Sequence, residues 1–167
     1  MSKLLFTGAS GFLGTNLKPL LRNEYEVKTL GLMDGDDYKV NIANSAPDID
    51  ICFDVVLHAA GKAHTVPKSE EEKKLFFDIN YQGTVNLCRA LEKSGLPKAF
   101  IFISTVAVYG LETGENITED HPLNGDNPYA LSKIRAEEFL TDWCTQNNVT
   151  IAIIRPSLIA GPNPPGN

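Results

Sequence analysis

The chain has 167 residues, of which 43% are hydrophobic and 22% charged, so it can bury the core of one domain. Its formal net charge of −6 argues against a nucleic-acid or anionic-membrane partner, since either would need a basic face. No apolar stretch approaches the ~20 residues that a membrane-spanning helix requires. Cys52, Cys88 and Cys144 are scattered and odd in number, which predicts reduced thiols in a cytoplasmic protein without a secretory leader.

Short apolar runs alternate with longer stretches of helical periodicity from the N-terminus onward. The first half of the chain predicts, in order, a strand at 3–7, a helix at 12–23, strands at 27–32 and 38–42, a loop or single turn at 43–53, and a strand at 54–60. Pro19 should kink the first helix or lie near its end.

The second half of the chain predicts two long helices and two further strands. In order, these are a helix at 69–94 capped by Ser69 and ended by Gly95, a strand at 99–105, a surface loop at 110–127, a helix capped by Asn127 that starts at Pro128 and runs to about 147, and a strand at 150–156. Apolar strands that alternate with helices are typical of α/β proteins. We therefore predict a Rossmann-type, doubly wound parallel sheet with helices on both faces.

A glycine-rich segment, Thr-Gly-Ala-Ser-Gly-Phe-Leu-Gly at 7–14, joins the first predicted strand to the first predicted helix. In this context Gly8 permits the tight turn, Gly11 lets the backbone approach a pyrophosphate, and Gly14 lets the helix pack on the strand. The positive end of the helix stabilises phosphate charge. A tight turn without a ligand is the alternative. We predict a dinucleotide site, with cofactor contacts from Gly8, Gly11, Phe12, Leu13 and Gly14.

The end of the second predicted strand bears on which dinucleotide binds. An acidic residue for the adenosine ribose is expected ~20 residues after the glycines, but Gly31 stands there, and Asp34 and Asp36 come slightly late. No Arg or Lys occurs from 29 to 38, so nothing obvious accepts a 2′-phosphate. We predict NAD, with NADP less favoured. A solvated acidic turn at 34–37 is an equal alternative to a ribose contact.

Tyr129 and Lys133 are four residues apart, so they share one face of the last predicted helix. A free tyrosine titrates near pH ~10, and a neighbouring ammonium favours the phenolate and lowers that pKa. The same lysine can hold the nicotinamide ribose. Thr105 ends the fifth predicted strand, where open α/β sheets bind ligands, and can hydrogen-bond the same substrate hydroxyl. A surface pair on the helix is the alternative to this proton-transfer site.

These motifs resemble those of the extended short-chain dehydrogenases/reductases, and the resemblance covers essentially the whole chain. The chain is most similar to the N-terminal, nucleotide-binding part of the NAD-dependent nucleotide-sugar epimerase/dehydratase family, which includes UDP-glucose 4-epimerase. The matching stretches are 7–14, Asp-Val-Val-Leu-His-Ala-Ala-Gly at 54–61, Asn-Tyr-Gln-Gly-Thr-Val-Asn-Leu at 80–87, Ser-Thr-Val-Ala-Val-Tyr-Gly at 104–110, 129–133 and 155–156.

The resemblance implies roles for individual residues. It implies Thr105, Tyr129 and Lys133 as the catalytic set. Asn80 resembles an asparagine that bends the long helix near the site, although an ordinary polar helix residue is the alternative. The implied cofactor contacts beyond the glycine loop are Asn41, Ile42, Ala59, Ala60, Gly61, Asn80, Tyr129, Lys133 and Pro156.

Four further positions bear on the site. Asn41 stands where the family usually has an Asp beside the adenine, and its amide can still make that contact. His58 is expected to pack at its strand rather than to catalyse. His64 and His121 have no motif support, and no metal site is predicted.

Two positions after the catalytic threonine bear on the reaction. The 4,6-dehydratases of the family carry an acidic pair there, whereas this chain has Val106 and Ala107. Without a general acid, elimination of water has no proton donor. The resemblance therefore implies an NAD-dependent UDP-sugar 4-epimerase that works by transient hydride transfer through a keto-sugar. A sugar-nucleotide or carbonyl reductase of the same superfamily and a non-catalytic dinucleotide sensor are the alternatives.

The resemblance also implies a domain organisation. Residues 1–160 are expected to form the dinucleotide-binding domain, and 161–167 to begin a substrate-binding region that the chain lacks, so the chain alone could be inactive. The full-length protein is expected to act on a sugar nucleotide and to form a homodimer.

Overall fold

The computed structural model describes residues 1–63 and 65–163, so His64 and the end of the 161–167 tail lie outside it. The described strands are β1 Ser2–Thr7, β2 Tyr25–Gly31, β3 Tyr38–Lys39, β4 Val55–His58, β5 Ala99–Ile103 and β6 Thr150–Ile154. The described α-helices are α1 Phe12–Leu21, α2 Glu70–Phe76, α3 Gly83–Ser94 and α4 Pro128–Gln146. A π-helical segment, Phe77–Gln82, joins α2 to α3, and a 3-10 turn, Val106–Tyr109, follows β5.

The strands form one sheet in the order β3-β2-β1-β4-β5-β6, and every neighbouring pair is parallel. From β1 the chain moves outward to β2 and β3, and it then returns to the other side of β1 as β4. This reversal places the carboxyl ends of β1 and β4 side by side, with Thr7 opposite His58. Open α/β sheets bind ligands in the crevice at such a reversal. The predicted Rossmann-type fold is confirmed.

Both faces of the sheet are buried, which explains why its strands are apolar at successive positions. Along β1, Leu5 belongs to one core, whereas Leu4 and Phe6 belong to the other. Fully burying one such side chain contributes roughly 1.5–3 kcal/mol. Helix α1 packs on the second core, and residues of α3 and α4 complete the first, among them Leu87, Leu91, Leu140 and Trp143.

The helix predicted over 69–94 is the element that departs most from expectation. Its two ends agree with the sequence, because Ser69 accepts the Glu72 N–H at 3.2 Å and Gly95 follows α3 with a φ of 117°. Its middle, Phe77–Gln82, is π-helical instead of α-helical. Segments of π-helix are rare in proteins, and those that do occur often lie at functional sites. Pro19 lies two residues before the end of α1. This agrees with the second alternative predicted for it, a position near the end of the helix.

Several strands are shorter than predicted. β3 ends at Lys39 because the chain turns at Asn41, whose Oδ1 accepts the Ala43 N–H at 3.1 Å. β4, β5 and β6 each end two residues before the predicted strand does. The residues that leave the sheet there, 59–60, 104–105 and 155–156, lie at its carboxyl edge and form part of the candidate site.

Candidate cofactor and catalytic site

The glycine loop between β1 and α1 is held in place by close backbone packing. Gly8 has a φ of 77°, and a Cβ there would lie 2.6 Å from the Ala59 carbonyl carbon and the Ala60 nitrogen. A Cβ on Gly14 would lie 2.5 Å from the Ala9 Cα. Neither position has room for a side chain. The loop therefore packs directly against the chain that follows β4, as the two predicted glycine roles require.

Gly11 differs from the other two glycines. A Cβ on Gly11 would meet only the Gly8 carbonyl oxygen, at an ordinary contact distance of 3.4 Å. Gly11 is also the N-cap of α1, and it offers no side-chain hydrogen bond to the first N–H groups of the helix. Open space beside uncapped N–H groups at a helix N-terminus fits an anion such as a pyrophosphate. The residues present therefore fit the predicted dinucleotide.

The segment after β4 lies between the glycine loop and α4 and contacts both. The Ala59 N–H donates to the Thr7 carbonyl at 3.1 Å, and the Ala60 N–H donates to the Thr7 hydroxyl at 3.2 Å. A Cβ on Gly61 would lie 3.0 Å from the Asn80 Oδ1 and 3.3 Å from the Lys133 Nζ. The predicted cofactor-binding segment 59–61 thus meets two other predicted site residues, Asn80 and Lys133, at Gly61.

His58 is fully buried at the end of β4, and its ring joins β1 to the first turn of α3. Thr84 donates to the Asn80 carbonyl at 2.7 Å, so its oxygen accepts from the His58 Nε2–H at 2.9 Å. The His58 Nδ1 then accepts from the Thr7 hydroxyl at 2.6 Å. Burial, followed by the charge of Lys133, lowers the pKa of His58 to about 3. His58 therefore stays neutral and packs at its strand, as predicted.

Asn80 lies at the centre of the π-helical segment and is 1% exposed. Its Oδ1 accepts the Lys62 N–H at 2.7 Å, and its Nδ2 donates to the Lys62 carbonyl at 3.0 Å and to the Ser132 hydroxyl at 2.9 Å. Ser132 in turn donates to the Tyr129 carbonyl at 2.7 Å. One amide thereby fixes the loop after β4 against α4.

Helix α4 begins where the sequence predicts and carries Lys133 into the interior. The Asn127 Oδ1 accepts the Ala130 N–H at 2.9 Å, and Pro128 opens the helix. Lys133 is 4% exposed, and its Nζ donates to the Ile103 carbonyl at 2.8 Å and lies 4.5 Å from the Phe102 ring centroid. Burial lowers the pKa of Lys133 to about 8, although the Glu137 carboxylate opposes this shift.

Tyr129 faces Thr105 across the gap between α4 and β5. Burial raises the pKa of Tyr129, and the hydroxyl of Thr105 acts in the opposite direction. Lys133 is not among the groups that shift the pKa of Tyr129, and its Nζ donates to the Ile103 carbonyl at the end of β5. Thr105 is itself fixed as the N-cap of the 3-10 turn, where it accepts the Ala107 N–H at 3.2 Å. Thr105 is thus near enough to Tyr129 to influence its pKa, and activation of Tyr129 by Lys133 stays a prediction.

A buried ion pair supports this side of the site, and the sequence did not reveal it. Glu137 is 2% exposed and accepts from the Arg155 Nη2 at 2.7 Å, from the Arg155 Nε at 3.2 Å, and from the Ser104 hydroxyl. Arg155 also donates to the Tyr109 hydroxyl and to the Glu119 carbonyl, each at 3.0 Å. Arg155, noted in the sequence only as part of a matching stretch, therefore ties β6 to α4 and to the 3-10 turn.

The adenine side and the β6 end contain the other predicted contacts. Asn41 is exposed, whereas Ile42 is buried against α3, and its carbonyl accepts from the Asn86 Nδ2 at 2.7 Å. Pro156 is half-buried, and its carbonyl accepts the Val106 N–H at 3.3 Å. The cofactor contacts of these residues stay predictions.

Four supporting residues were missed in the sequence: Thr7, Thr84, Ser132 and Glu137. The last two carried a weak signal, since Ser132 precedes Lys133 and Glu137 continues the Tyr129–Lys133 helix face by four residues. Thr7 and Thr84 carried no signal of their own beyond their place in the matching stretches 7–14 and 80–87. Within the residues that the structure describes, no helix is long and apolar enough to cross a bilayer. In the same residues, no group of three or more His, Cys, Asp or Glu side chains could hold a metal ion.

The fold is that of a Rossmann-type protein, and its crevice joins a glycine loop to a Tyr–Lys pair. The chain belongs to the NAD dependent epimerase/dehydratase family, whose model matches residues 4–167. The family expected from the sequence is thereby confirmed.

Individual relatives agree with this membership. The UDP-glucose 4-epimerase of Vibrio cholerae is 36% identical over 98% of this chain and 54% of its own length. The N-acetyl-alpha-D-glucosaminyl-diphospho-ditrans,octacis-undecaprenol 4-epimerase of Escherichia coli O157:H7 is also 36% identical, over 98% of this chain and 51% of its own length. The chain thus spans about half the length of these relatives.

A solved structure is also similar to the chain. The structure of RMD from Pseudomonas aeruginosa complexed with NADPH superimposes with a TM-score of 0.78 at 29% identity. The alignment covers 94% of this chain and 54% of that one.

Proposed function

We propose that the protein is an NAD-dependent nucleotide-sugar epimerase, specifically a UDP-sugar 4-epimerase. The observation that carries this proposal is the meeting of Tyr129 and Thr105 at the carboxyl end of β5, with Lys133 and Gly61 beside them. The similarity to the UDP-glucose 4-epimerase of Vibrio cholerae supports the substrate class. As part of the same proposal, residues 1–160 form a dinucleotide-binding domain, and residues 161–167 begin a substrate-binding region.

The chain's own residues would hold a nicotinamide dinucleotide along the crevice. Gly11, Phe12 and Leu13 offer backbone N–H groups to the pyrophosphate at the start of α1. Gly8, Gly14, Ala59 and Ala60 keep side chains out of the same space, and Gly61, Asn80 and Lys133 close its far wall. When bound, such a cofactor would take up a hydride from a sugar carbon and return it to the other face of the resulting keto-sugar.

Tyr129 would accept the proton of the sugar hydroxyl while the hydride leaves, and would give it back when the hydride returns. Thr105 would hold the same hydroxyl oxygen. Lys133 has a pKa of about 8, so it is mostly charged at neutral pH. A substrate or cofactor that draws its ammonium from the Ile103 carbonyl towards Tyr129 would favour the phenolate. That movement would reconcile the raised pKa of Tyr129 with a role in proton transfer.

The residues around Thr105 favour epimerisation over loss of water. Val106 is partly exposed and lines a cavity of about 660 Å³ with Tyr109 and Arg155, and neither Val106 nor Ala107 carries a proton donor. Elimination of water from the sugar needs a general acid near the leaving hydroxyl. We therefore propose inversion of a sugar carbon without dehydration.

For the cofactor we propose NAD rather than NADP, because no Arg or Lys occurs from 29 to 38. The similar structure complexed with NADPH marks NADP as the competing candidate. A homodimer in the cytoplasm, without nucleic-acid or membrane partners, completes the proposal. That location fits Cys52, Cys88 and Cys144, which form no disulfide with one another in the structure.

A reductase or dehydrogenase of the same superfamily is the second candidate, and a non-catalytic dinucleotide sensor is the third. The decisive experiment incubates the whole protein with UDP-galactose or UDP-glucose and NAD, without added reductant, and follows the sugar by NMR. An epimerase interconverts the two without net change in NADH absorbance. A requirement for stoichiometric NADH or NADPH would establish the reductase instead, and a 4-keto-6-deoxy product would establish a dehydratase. Tight NAD binding without any sugar conversion would favour the sensor.

A further inference from the structure

The end of β5 contacts α4 through two neighbouring residues that use different groups. The Ile103 carbonyl accepts from the Lys133 Nζ at 2.8 Å. The hydroxyl of the next residue, Ser104, donates to the Glu137 carboxylate one helical turn further along α4. The strand end is therefore bound to the helix by a backbone group and then by a side chain.

The next residue of the chain, Thr105, faces the same helix. Its hydroxyl acts to lower the pKa of Tyr129 against the effect of burial, so the two side chains are close. Positions 129, 133 and 137 of α4 are spaced by four residues and share one side of the helix. Three consecutive residues, 103–105, thus face three successive turns of α4.

Ser104 is the middle contact, and its side chain is bound away from the crevice. It is 3% exposed, and its N–H donates to the Ile154 carbonyl of β6 at 2.7 Å. Its hydroxyl donates to Glu137. Because backbone and side chain are both bound, Ser104 fixes the point from which the chain leaves the sheet towards Thr105.

The Glu137 carboxylate can fix Ser104 because it is itself held in one position. Glu137 is 2% exposed, and it accepts from the Arg155 Nη2 at 2.7 Å and from the Arg155 Nε at 3.2 Å. Paired contacts of this kind between a guanidinium and a carboxylate restrict both orientation and distance. Glu137 also acts to raise the pKa of Lys133, so the same carboxylate favours the charged lysine one turn away.

We infer that Glu137 is a positioning residue for the proposed reaction: through Ser104 it fixes the end of β5, and so sets where Thr105 and Lys133 lie relative to Tyr129. This inference rests on the proposed function, since it presumes proton transfer at Tyr129. Glu137 acts through Ser104 and not on the substrate. A displacement of about 1 Å at a reacting group can lower turnover about 10²-fold, so a loosened strand end should be visible in kcat.

Ser104→Ala removes the link between β5 and Glu137 and leaves every charge in place. In the whole protein acting on UDP-galactose with NAD, kcat should fall about 10- to 100-fold, while KM and the dissociation constant of NAD stay within about twofold of the parent values. Thr29→Val is the matched control, because Thr29 on β2 is 2% exposed and donates to the Asp37 carboxylate at 3.3 Å. Its melting temperature should fall by a similar amount with kcat unchanged. Equal kcat values in the parent and Ser104→Ala would overturn the inference.

A second variant separates positioning from stability and does not depend on the folding of Ser104→Ala. Glu137→Met combined with Arg155→Met replaces the buried ion pair by apolar side chains of similar volume, a change that is often neutral or stabilising. Ser104 then loses its acceptor, so kcat should fall about 10- to 100-fold even though the melting temperature is retained. A stable double variant with the parent's kcat would show that Glu137 contributes to the fold alone.

The ammonium of Lys133 provides a readout that needs no turnover. In protein with isotopically labelled lysine, its NMR signal is assigned by its loss in Lys133→Met and reports the bond to the Ile103 carbonyl. At neutral pH its hydrogens should exchange with water at least about tenfold faster in Ser104→Ala than in the parent, because the end of β5 opens more often. Thr29→Val should exchange as the parent does.

Unchanged exchange in Ser104→Ala would overturn the inference. If exchange responds as expected but the parent converts no UDP-sugar, the proposed function fails and the link from Glu137 to the strand end stands. The two failures are therefore distinguishable.

Discussion

The glycine-loop side and the α4 side of the candidate site are built differently. Around the glycine loop, the arrangement depends on the absence of side chains, since Gly8 and Gly14 leave no room for a Cβ. Around α4, it depends on buried polar side chains that bind one another, with Lys133 and Glu137 almost without exposure. The first region needs three residues close in sequence, whereas the second joins elements from β5 to β6.

This difference predicts two kinds of failure. A substitution in the loop should either block the ligand or disturb helix packing, depending on which glycine is changed. A substitution in the α4 network should leave a buried polar group without its partner, which costs about 1–3 kcal/mol for a neutral group and more for a charge. The two regions can therefore be separated by measuring binding, turnover and stability on the same variants.

The largest expected effect is on turnover at the α4 side. Tyr129→Phe in the whole protein should lower kcat by about 10²–10⁴-fold, because it removes the proton-transfer oxygen and keeps the ring against Phe76. NAD affinity and the melting temperature should stay close to the parent values. Steady-state kinetics, calorimetry and thermal unfolding provide the three readouts. Near-normal turnover would remove Tyr129 from the catalytic set, and Tyr81→Phe, on the π-helical segment, is the control for loss of a phenol.

Removing Arg155 should have the largest effect on stability. Arg155→Met leaves the Glu137 carboxylate buried without its ion-pair partner and with the Ser104 hydroxyl as its remaining hydrogen-bond donor, so the free energy of unfolding should fall by about 3–5 kcal/mol. Lys28→Met breaks the exposed pair with Asp37 and should cost only about 0–1 kcal/mol.

Urea unfolding measures both variants. The double variant Arg155→Met with Glu137→Gln should regain part of the loss, since no charge is then left unpaired. Equal losses in Arg155→Met and Lys28→Met would mean that the buried pair contributes no more than the exposed one.

The same contrast explains what could be predicted from the sequence. The fold and the glycine loop follow from local patterns, because strand and helix periodicities and a short glycine spacing are carried by neighbouring residues. Tyr129 and Lys133 were found for the same reason. Partners such as Thr7, His58 and Thr84 were not predicted as a connected set, because their contacts join residues 26 and 51 positions apart.

The π-helical segment could not be predicted from periodicity for a related reason. Residues 69–94 carry an uninterrupted helical pattern, and a bend at Asn80 was implied by the family resemblance alone. Buried bonds of Asn80 to Lys62 and Ser132 accompany the break in the helix. The close approach of the Asp36 carboxylate to Gly31 was also beyond the sequence, because the turn at 33–36 folds that side chain back onto the end of β2. Departures from pattern thus coincide with the candidate site.

Two glycines of the loop provide a smaller but sharper comparison. A Cβ fits at Gly11, so Gly11→Val should cost only about 1 kcal/mol in stability, through its poorer N-cap, while it weakens NAD binding at least about tenfold. Gly14→Ala places a methyl group 2.5 Å from the Ala9 Cα and should lower stability by about 1–3 kcal/mol or more. Unchanged NAD affinity in Gly11→Val would place the pyrophosphate elsewhere.

The smallest expected effect is the pH dependence that Lys133 gives to stability. Its pKa is lowered to about 8 in the folded chain, chiefly by burial and against the opposing charge of Glu137, whereas an unfolded lysine titrates near ~10.4. Below pH 8 the lysine is charged in both states, and the cost of burying that charge is fully present. Between about pH 8 and 10.4 the unfolded state binds a proton that the folded state lacks, so this cost is relieved and stability rises.

The parent should therefore gain about 1–2 kcal/mol relative to Lys133→Met between about pH 7.5 and 9.5, measured by urea unfolding at both pH values. Lys93→Met, at an exposed position of α3, controls for the introduction of methionine. A constant difference between the parent and Lys133→Met at both pH values would show that the buried lysine does not titrate in this range. The Ile103 carbonyl and Glu137 would then stabilise its charge to the same extent as water does.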